Sequence, residues 1–166
     1  MATIDNLQAA FAGESQANRK YLAFAKKAAS EGFPGIAHLF RATAEAETIH
    51  ALMHFRVMNG VKGTEENLKA AIAGEFYEYT DMYPTFLAAA EAEGNKPAIM
   101  AFKSALAVET IHHGLYSNAL ETFKVGKDLP NQKIYICPVC GNTVVGEAPD
   151  KCPICNAPKD KWFEVQ

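Results

Sequence analysis

The sequence predicts a mainly α protein: a four-helix bundle followed by a small β/loop domain built on a metal site. Three observations carry that prediction. The tetrapeptide Glu-Thr-Ile-His occurs at Glu47–His50 and again at Glu109–His112, each time inside a longer repeat. Four stretches within the first 125 residues place apolar side chains at helical spacing. All four cysteines fall between Cys137 and Cys155, as two Cys-Pro-x-Cys pairs.

The repeat sets the organisation. Glu31–His50 reads EGFPGIAHLFRATAEAETIH and Glu93–His112 reads EGNKPAIMAFKSALAVETIH, while AAFAGE at Ala9–Glu14 matches AAIAGE at Ala70–Glu75. A duplicated helical hairpin accounts for both matches. In each half the first helix carries Gly-Glu and the second carries Glu-x-x-His. Residues i and i+3 share a helix face, so each Glu-x-x-His aims a carboxylate and an imidazole in one direction.

The first helix is expected from an N-cap at Thr3, with Asp5 in its positive first turn, to a stop near Gly32. Its inward stripe is Leu7, Phe11, Glu14, Asn18, Tyr21, Ala25 and Ala28. The second begins around Pro34, which a first turn tolerates, and ends at Asn59-Gly60. Its stripe runs Ile36, Phe40, Thr43, Glu47, His50, His54, Val57. Three consecutive ionisable positions on a buried face ask for a partner, because an unpaired buried charge costs several kcal/mol. Thr64 is the expected cap of a third helix with the stripe Leu68, Ala71, Glu75, Glu78, Met82, Phe86, Ala89, kinked at Pro84 and stopped by Gly94-Asn95. Pro97 opens the fourth, with Phe102, Ala105, Glu109, His112, Tyr116, Leu120 and Phe123 facing in. The phenylalanines of these stripes are expected core.

The stripes gather Glu14, Glu47, His50, Glu75, Glu78, Glu109 and His112. Five ionised carboxylates at one level repel strongly, and two divalent cations would neutralise most of that charge. Mixed Glu and His donors suit iron, manganese or zinc rather than calcium or magnesium. One ion would take Glu14, Glu47 and His50, the other Glu75, Glu109 and His112. Glu78 breaks the symmetry, since its counterpart is Ala17. Tyr21 and Tyr83 are candidates to hydrogen-bond the site carboxylates, and His54 and His113 are expected as packed side chains rather than ligands.

After Val125 the composition changes. Residues 1–125 read as the bundle, 126–132 as a linker, and 133–166 as the small domain. About 34 residues rarely fold unaided, so a metal is expected to hold them. Cys137, Cys140, Cys152 and Cys155 form two knuckles whose four thiolates make a tetrahedral site for zinc or a single iron. Tyr135, Trp162 and Phe163 are expected to pack around it.

A formal net charge of −3 with 21% charged residues gives no hint of nucleic-acid attraction, and no apolar run approaches the ~20 residues of a membrane span. The first residues, MATIDNLQ, lack the basic and apolar regions of a signal peptide, which makes the cytoplasm the expected address.

Taken together, the paired Glu-x-x-His, Glu75-x-x-Glu78 and the two Cys-Pro-x-Cys knuckles resemble the rubrerythrin family over essentially the whole chain. The resemblance implies a ferritin-like diiron four-helix bundle followed by a rubredoxin-like Fe(Cys)4 domain. It implies Glu47 and Glu109 as bridging ligands, Glu14 and Glu75 as terminal ligands, and His112 on one iron. His50 and Glu78 would exchange on the other iron with redox state. The implied activity is reduction of hydrogen peroxide to water in oxidative-stress defence, with the Fe(Cys)4 centre relaying electrons. These come ultimately from a nicotinamide nucleotide, through an electron-donor protein such as a rubredoxin or an NAD(P)H-dependent reductase. The alternative is a ferritin-like ferroxidase or iron-binding protein with a structural, zinc-bearing tail.

About five residues between Asn59 and Glu65 span roughly 18 Å, against about 37 Å for a 25-residue helix. They cannot carry the chain back along a bundle. Either the helices alternate up and down within one chain, or a homodimer exchanges hairpins. The ligand resemblance favours the exchanged dimer.

Overall fold

The computed structural model describes residues 2–166. The chain divides into two compact units, one ending at Lys62 and one beginning at Gly63, each considered by itself.

The first unit is a hairpin of α1 (Thr3–Ser30) and α2 (Pro34–Val57). The cap of α1 is Ala2, not the expected Thr3. Asp5, inside the first turn, accepts the Ala2 N–H at 2.9 Å and places its charge at the positive end of the helix. Gly32, at φ +84°, reverses the chain, and Pro34 opens α2. The helices close on an alanine seam of Ala25, Ala28, Ala37, Ala44 and Ala51, all buried. Small side chains let the two backbones approach. Asn18 is buried in the same seam and donates to Ala44 O at 2.8 Å and Thr48 Oγ1 at 2.7 Å.

In this hairpin taken by itself, the larger residues of the stripes are less buried than the seam. Phe11 and Phe40 are only half-buried, and Ile36 and Val57 are 51% and 66% exposed. Past α2, Asn59 takes a left-handed φ of +56°, and Gly60 leaves no room for a Cβ against the Phe55 ring.

The second unit opens with α3 (Thr64–Tyr77), capped by Gly63 rather than by Thr64. The expected single third helix is interrupted. A π-helical turn spans Glu78–Met82, and α4 (Tyr83–Glu93) follows with Pro84 in its first turn. Proline lacks an N–H and its ring crowds the carbonyl four residues back, and the wider turn relieves both, so the disturbance is a π turn rather than a bare kink. Gly94, at φ +68°, ends α4, and Asn95 caps α5 (Lys96–Lys124) by accepting the Ala98 N–H at 3.2 Å. In this unit α5 packs against α3, the π turn and α4, with Val108, Leu120 and Ala90 buried. In this unit taken by itself, Phe102 is half-buried and Phe86 is 44% exposed.

The tail belongs to the same unit. Strands β1 (Ile134–Ile136), β2 (Thr143–Val145) and β3 (Phe163–Val165) form an antiparallel sheet in the order β2-β1-β3. Tyr135 pairs with Val144 and Glu164. The core beneath is Cys137, Cys152, Ala148, Ala157 and Trp162, with Tyr135 packed against it. Phe163, expected beside the cysteines, is half exposed, because its neighbour Trp162 takes the inward position. Among the described residues no helix is long and apolar enough to cross a membrane.

Candidate metal centres

The sequence-predicted donors converge in three places. In the first unit, donor atoms of Glu14, Glu47 and His50 lie within 4.8 Å of one another, and in the second so do those of Glu75, Glu109 and His112. The four cysteine sulfurs meet the same limit. The two Glu/His sets thus sit in different units, one per hairpin.

In each set the histidine presents Nδ1 to the carboxylates. His50 Nδ1 lies 3.0 Å from Glu47 Oε2, and His112 Nδ1 lies 2.8 Å from Glu109 Oε2 and 3.8 Å from Glu75 Oε2. The i,i+3 spacing on α2 and α5 makes this possible, and α1 and α3 each bring the remaining glutamate. The rings below are duplicated too. Tyr21, Phe24 and Phe40 cluster with centroids 5.6–6.3 Å apart, as do Tyr83, Phe86 and Phe102 at 5.7–6.4 Å.

The charge crowding foreseen from sequence is present in the second unit. Burial, reinforced by a hydrogen bond and repulsion from Glu109, pushes the Glu75 carboxyl up to about 7. Burial and then Glu109 also raise Glu78, with His112 opposing. Burial raises the Tyr83 phenol, and the charges of Glu109, Glu78 and Glu75 add to it, which puts this ring within reach of their field. Glu78 stands outside the three-residue set, at the first position of the π turn. Carboxylates that hold protons against their ordinary range, beside an imidazole, form a donor set that a divalent cation satisfies.

One consequence concerns the metal-free protein. A carboxyl whose folded pKa is raised stabilises the fold while it is protonated. That contribution is complete below about pH 4.5 and is lost as pH climbs through about 7. The Glu75 contribution to the melting temperature of chelator-treated protein is therefore expected to fall by at least ~4 °C from pH 5 to pH 8, against the opposing trend of the Cys152 thiol. Glu75→Gln should flatten that dependence in calorimetry, and metal loading should abolish it.

In the tail, Cys137 and Cys155 sulfurs are 3.5 Å apart, as are those of Cys140 and Cys152. A tetrahedral site with bonds of about 2.3 Å needs sulfurs about 3.8 Å apart, so four thiolates fit one ion. Each knuckle ends in a left-handed residue, Gly141 at φ +82° and Asn156 at φ +61°. There the chain turns back, with Gly141 N–H donating to Cys137 O and Asn156 N–H to Cys152 O, both at 2.9 Å. Burial raises the Cys152 thiol, but the amides of Cys155 and Ile154 outweigh it and bring it down to about 6, towards the thiolate a metal requires.

Of the remaining residues, His113 packs against Phe76 and Tyr79, as expected of a structural histidine, and His54 is in none of the three donor sets. Sequence reasoning missed Thr143, whose Oγ1 lies 2.8 Å from His112 Nε2.

Comparison with known proteins identifies the family. The family profile described as Rubrerythrin matches residues 5–120, and that described as Rubrerythrin, rubredoxin-like domain matches 135–163. Rubrerythrin-2 of Clostridium acetobutylicum is 38% identical, over 96% of this chain and 95% of its own. Nigerythrin of Nitratidesulfovibrio vulgaris is 39% identical, over 97% and 85%. A solved structure of nigerythrin in a mixed-valence state is 37% identical over 99% of this chain and 87% of that one, with a TM-score of 0.58. The chain belongs to the rubrerythrin family, with the ferritin-like and rubredoxin-like fold of its members, their diiron and Fe(Cys)4 cofactors, and their oxidoreductase character.

Proposed function

We propose that the protein is a peroxidase of oxidative-stress defence that reduces hydrogen peroxide to two waters. The carrying observation is the pair of matched Glu/His donor sets, each converging within 4.8 Å, in a chain that also carries a four-cysteine site. When bound, the diiron centre supplies two electrons, which with two protons convert one peroxide to two waters, and the Fe(Cys)4 centre replaces them singly. Electrons would reach the tail from a rubredoxin or an NAD(P)H-dependent reductase.

Glu47 and Glu109 would bridge the ions, Glu14 and Glu75 would bind terminally, and His112 would hold its ion through Nδ1. His50 and Glu78 would alternate on the other ion. The π turn supports that reading of Glu78, since such turns place a side chain where regular helix would not. Tyr21 and Tyr83 would border the centre from the aromatic layers.

The working form would be a homodimer in which the first hairpin of one protomer pairs with the second hairpin of its partner. Residues 58–63 join α2 to α3, and six residues reach roughly 20 Å, against about 36 Å for α2. The half-buried ligand-bearing faces of the hairpins support the same reading.

Stopped-flow mixing of the reduced protein with peroxide or with oxygen tests the activity. Oxidation by peroxide at least ~100-fold faster than by oxygen is expected, since carboxylate-ligated diferrous sites differ in oxidant through their surroundings. Equal rates would replace the peroxidase with a ferroxidase.

A further inference from the structure

Both ends of the His112 ring are held. Nδ1 faces Glu109 and Glu75, and Nε2 lies 2.8 Å from Thr143 Oγ1. Thr143 opens β2 in the tail, 31 residues away, and its hydroxyl also donates to Gly141 O at 3.2 Å. Gly141 in turn follows Cys140 in the first knuckle and donates its N–H to Cys137 O. The knuckle is seated on α5 at this level. A Cβ on Gly141 would meet Val108 Cγ1 at 3.9 Å, and Val108 is buried one helical turn before His112. Gly141 over Val108 and Thr143 over His112 therefore form two contacts at i,i+4 spacing along one face of α5.

We propose that Thr143 is a positioning residue: it fixes the His112 ring with Nδ1 towards the carboxylates and ties that orientation to the Cys140 knuckle. The proposal rests on the reading of Nδ1 as the metal-facing atom. A histidine that binds through Nδ1 must carry its proton on Nε2, and an acceptor there sets the tautomer and the ring angle. A hydroxyl suits this position because it accepts from Nε2–H while donating to Gly141 O. When no metal is present and Nδ1–H instead donates to Glu109, the same hydroxyl can turn and donate to Nε2. Thr143 is thus a point at which docking of the tail bears directly on the metal-binding ring.

The pair also borders a cavity of about 650 Å³ lined by Leu68, Leu115, Ile134 and Val145. Water can enter there and satisfy Nε2 once the hydroxyl is gone. Thr143→Val should therefore fold, while leaving the ring without a fixed acceptor.

The test uses the full chain with zinc in the four-cysteine site, titrated with cobalt(II) and followed by the visible bands of the bundle metal. Thr143→Val is expected to weaken cobalt binding about 10- to 100-fold, and Thr143→Ser to stay within about threefold of the parent. In the zinc-loaded protein, nitrogen-15 shifts of His112 should report a proton fixed on Nε2 in the parent and in Thr143→Ser, and a mixture in Thr143→Val. Should the valine variant lose its tail fold, Thr143→Ala, which has no branched side chain to accommodate, carries the same comparison. Cobalt affinity unchanged in the valine or alanine variant overturns the proposal, and so does a serine variant as weak as valine. A parent chain whose bundle takes up no cobalt overturns the metal reading itself and the proposal with it.

Discussion

Replacing Cys137 with serine is expected to leave the first oxidation by peroxide intact and to stop sustained turnover. Cys137 is fully buried, its sulfur faces that of Cys155, and its backbone is paired with Asn142 and Gly141. A serine oxygen is harder and reaches less far than a thiolate, so the soft tetrahedral site is lost or its potential displaced. The carboxylates and imidazoles of the two hairpins are untouched by the change. Provided β2 keeps Thr143 against His112, each loaded bundle should still consume one peroxide, with a single-turnover rate within about threefold of the parent. With no electrons arriving through the tail, the steady-state rate measured with a reductase should fall by about 100-fold or more, as expected when a metal ligand is removed. If single-turnover oxidation collapses too, the tail acts as a staple, and the zinc-bearing alternative gains what the relay loses.

The site was more legible in the sequence than the packing that presents it. Glu47, His50, Glu109 and His112 announce themselves because i,i+3 spacing and duplication are both one-dimensional properties. The knuckles do so because Cys-Pro-x-Cys followed by Gly141 or Asn156 encodes its own turn. The hairpin interface was read only in part, for a physical reason. The inward stripe of α1 did include Ala25 and Ala28, but on α2 hydrophobic periodicity weights Ile36, Phe40 and Val57, whereas the closest approach is set by residues small enough to permit it, Ala37, Ala44 and Ala51. Pro84 signalled a disturbed helix but not its form, since a kink and a π turn both accommodate a missing donor. Thr143 carried no local signal at all, because its contact arises only when a strand of the tail lies against α5.

Mixing two inactive variants should restore activity if hairpins are exchanged between protomers. One variant carries Glu14→Gln and Glu47→Gln, which removes the carboxylates of the first unit's donor set. The other carries Glu75→Gln and Glu109→Gln, which removes those of the second. Glutamine keeps the shape and loses the charge that holds a divalent ion, so each homodimer should be silent. In an exchanged heterodimer, the intact first hairpin of one protomer meets the intact second hairpin of the other, and one of the two centres is whole. Random pairing makes half of the dimers mixed, each with one working centre of two, so unfolding and refolding an equal mixture should recover about a quarter of the parent's peroxidase activity and bundle iron. In an unexchanged assembly both hairpins of every centre come from the same chain, every centre carries two changes, and recovery is nil. The exchange also predicts that dilution into the range where the dimer dissociates releases the bundle metal while the tail keeps its own, because the four cysteines of the tail site come from one chain, whereas an exchanged carboxylate centre would draw on two.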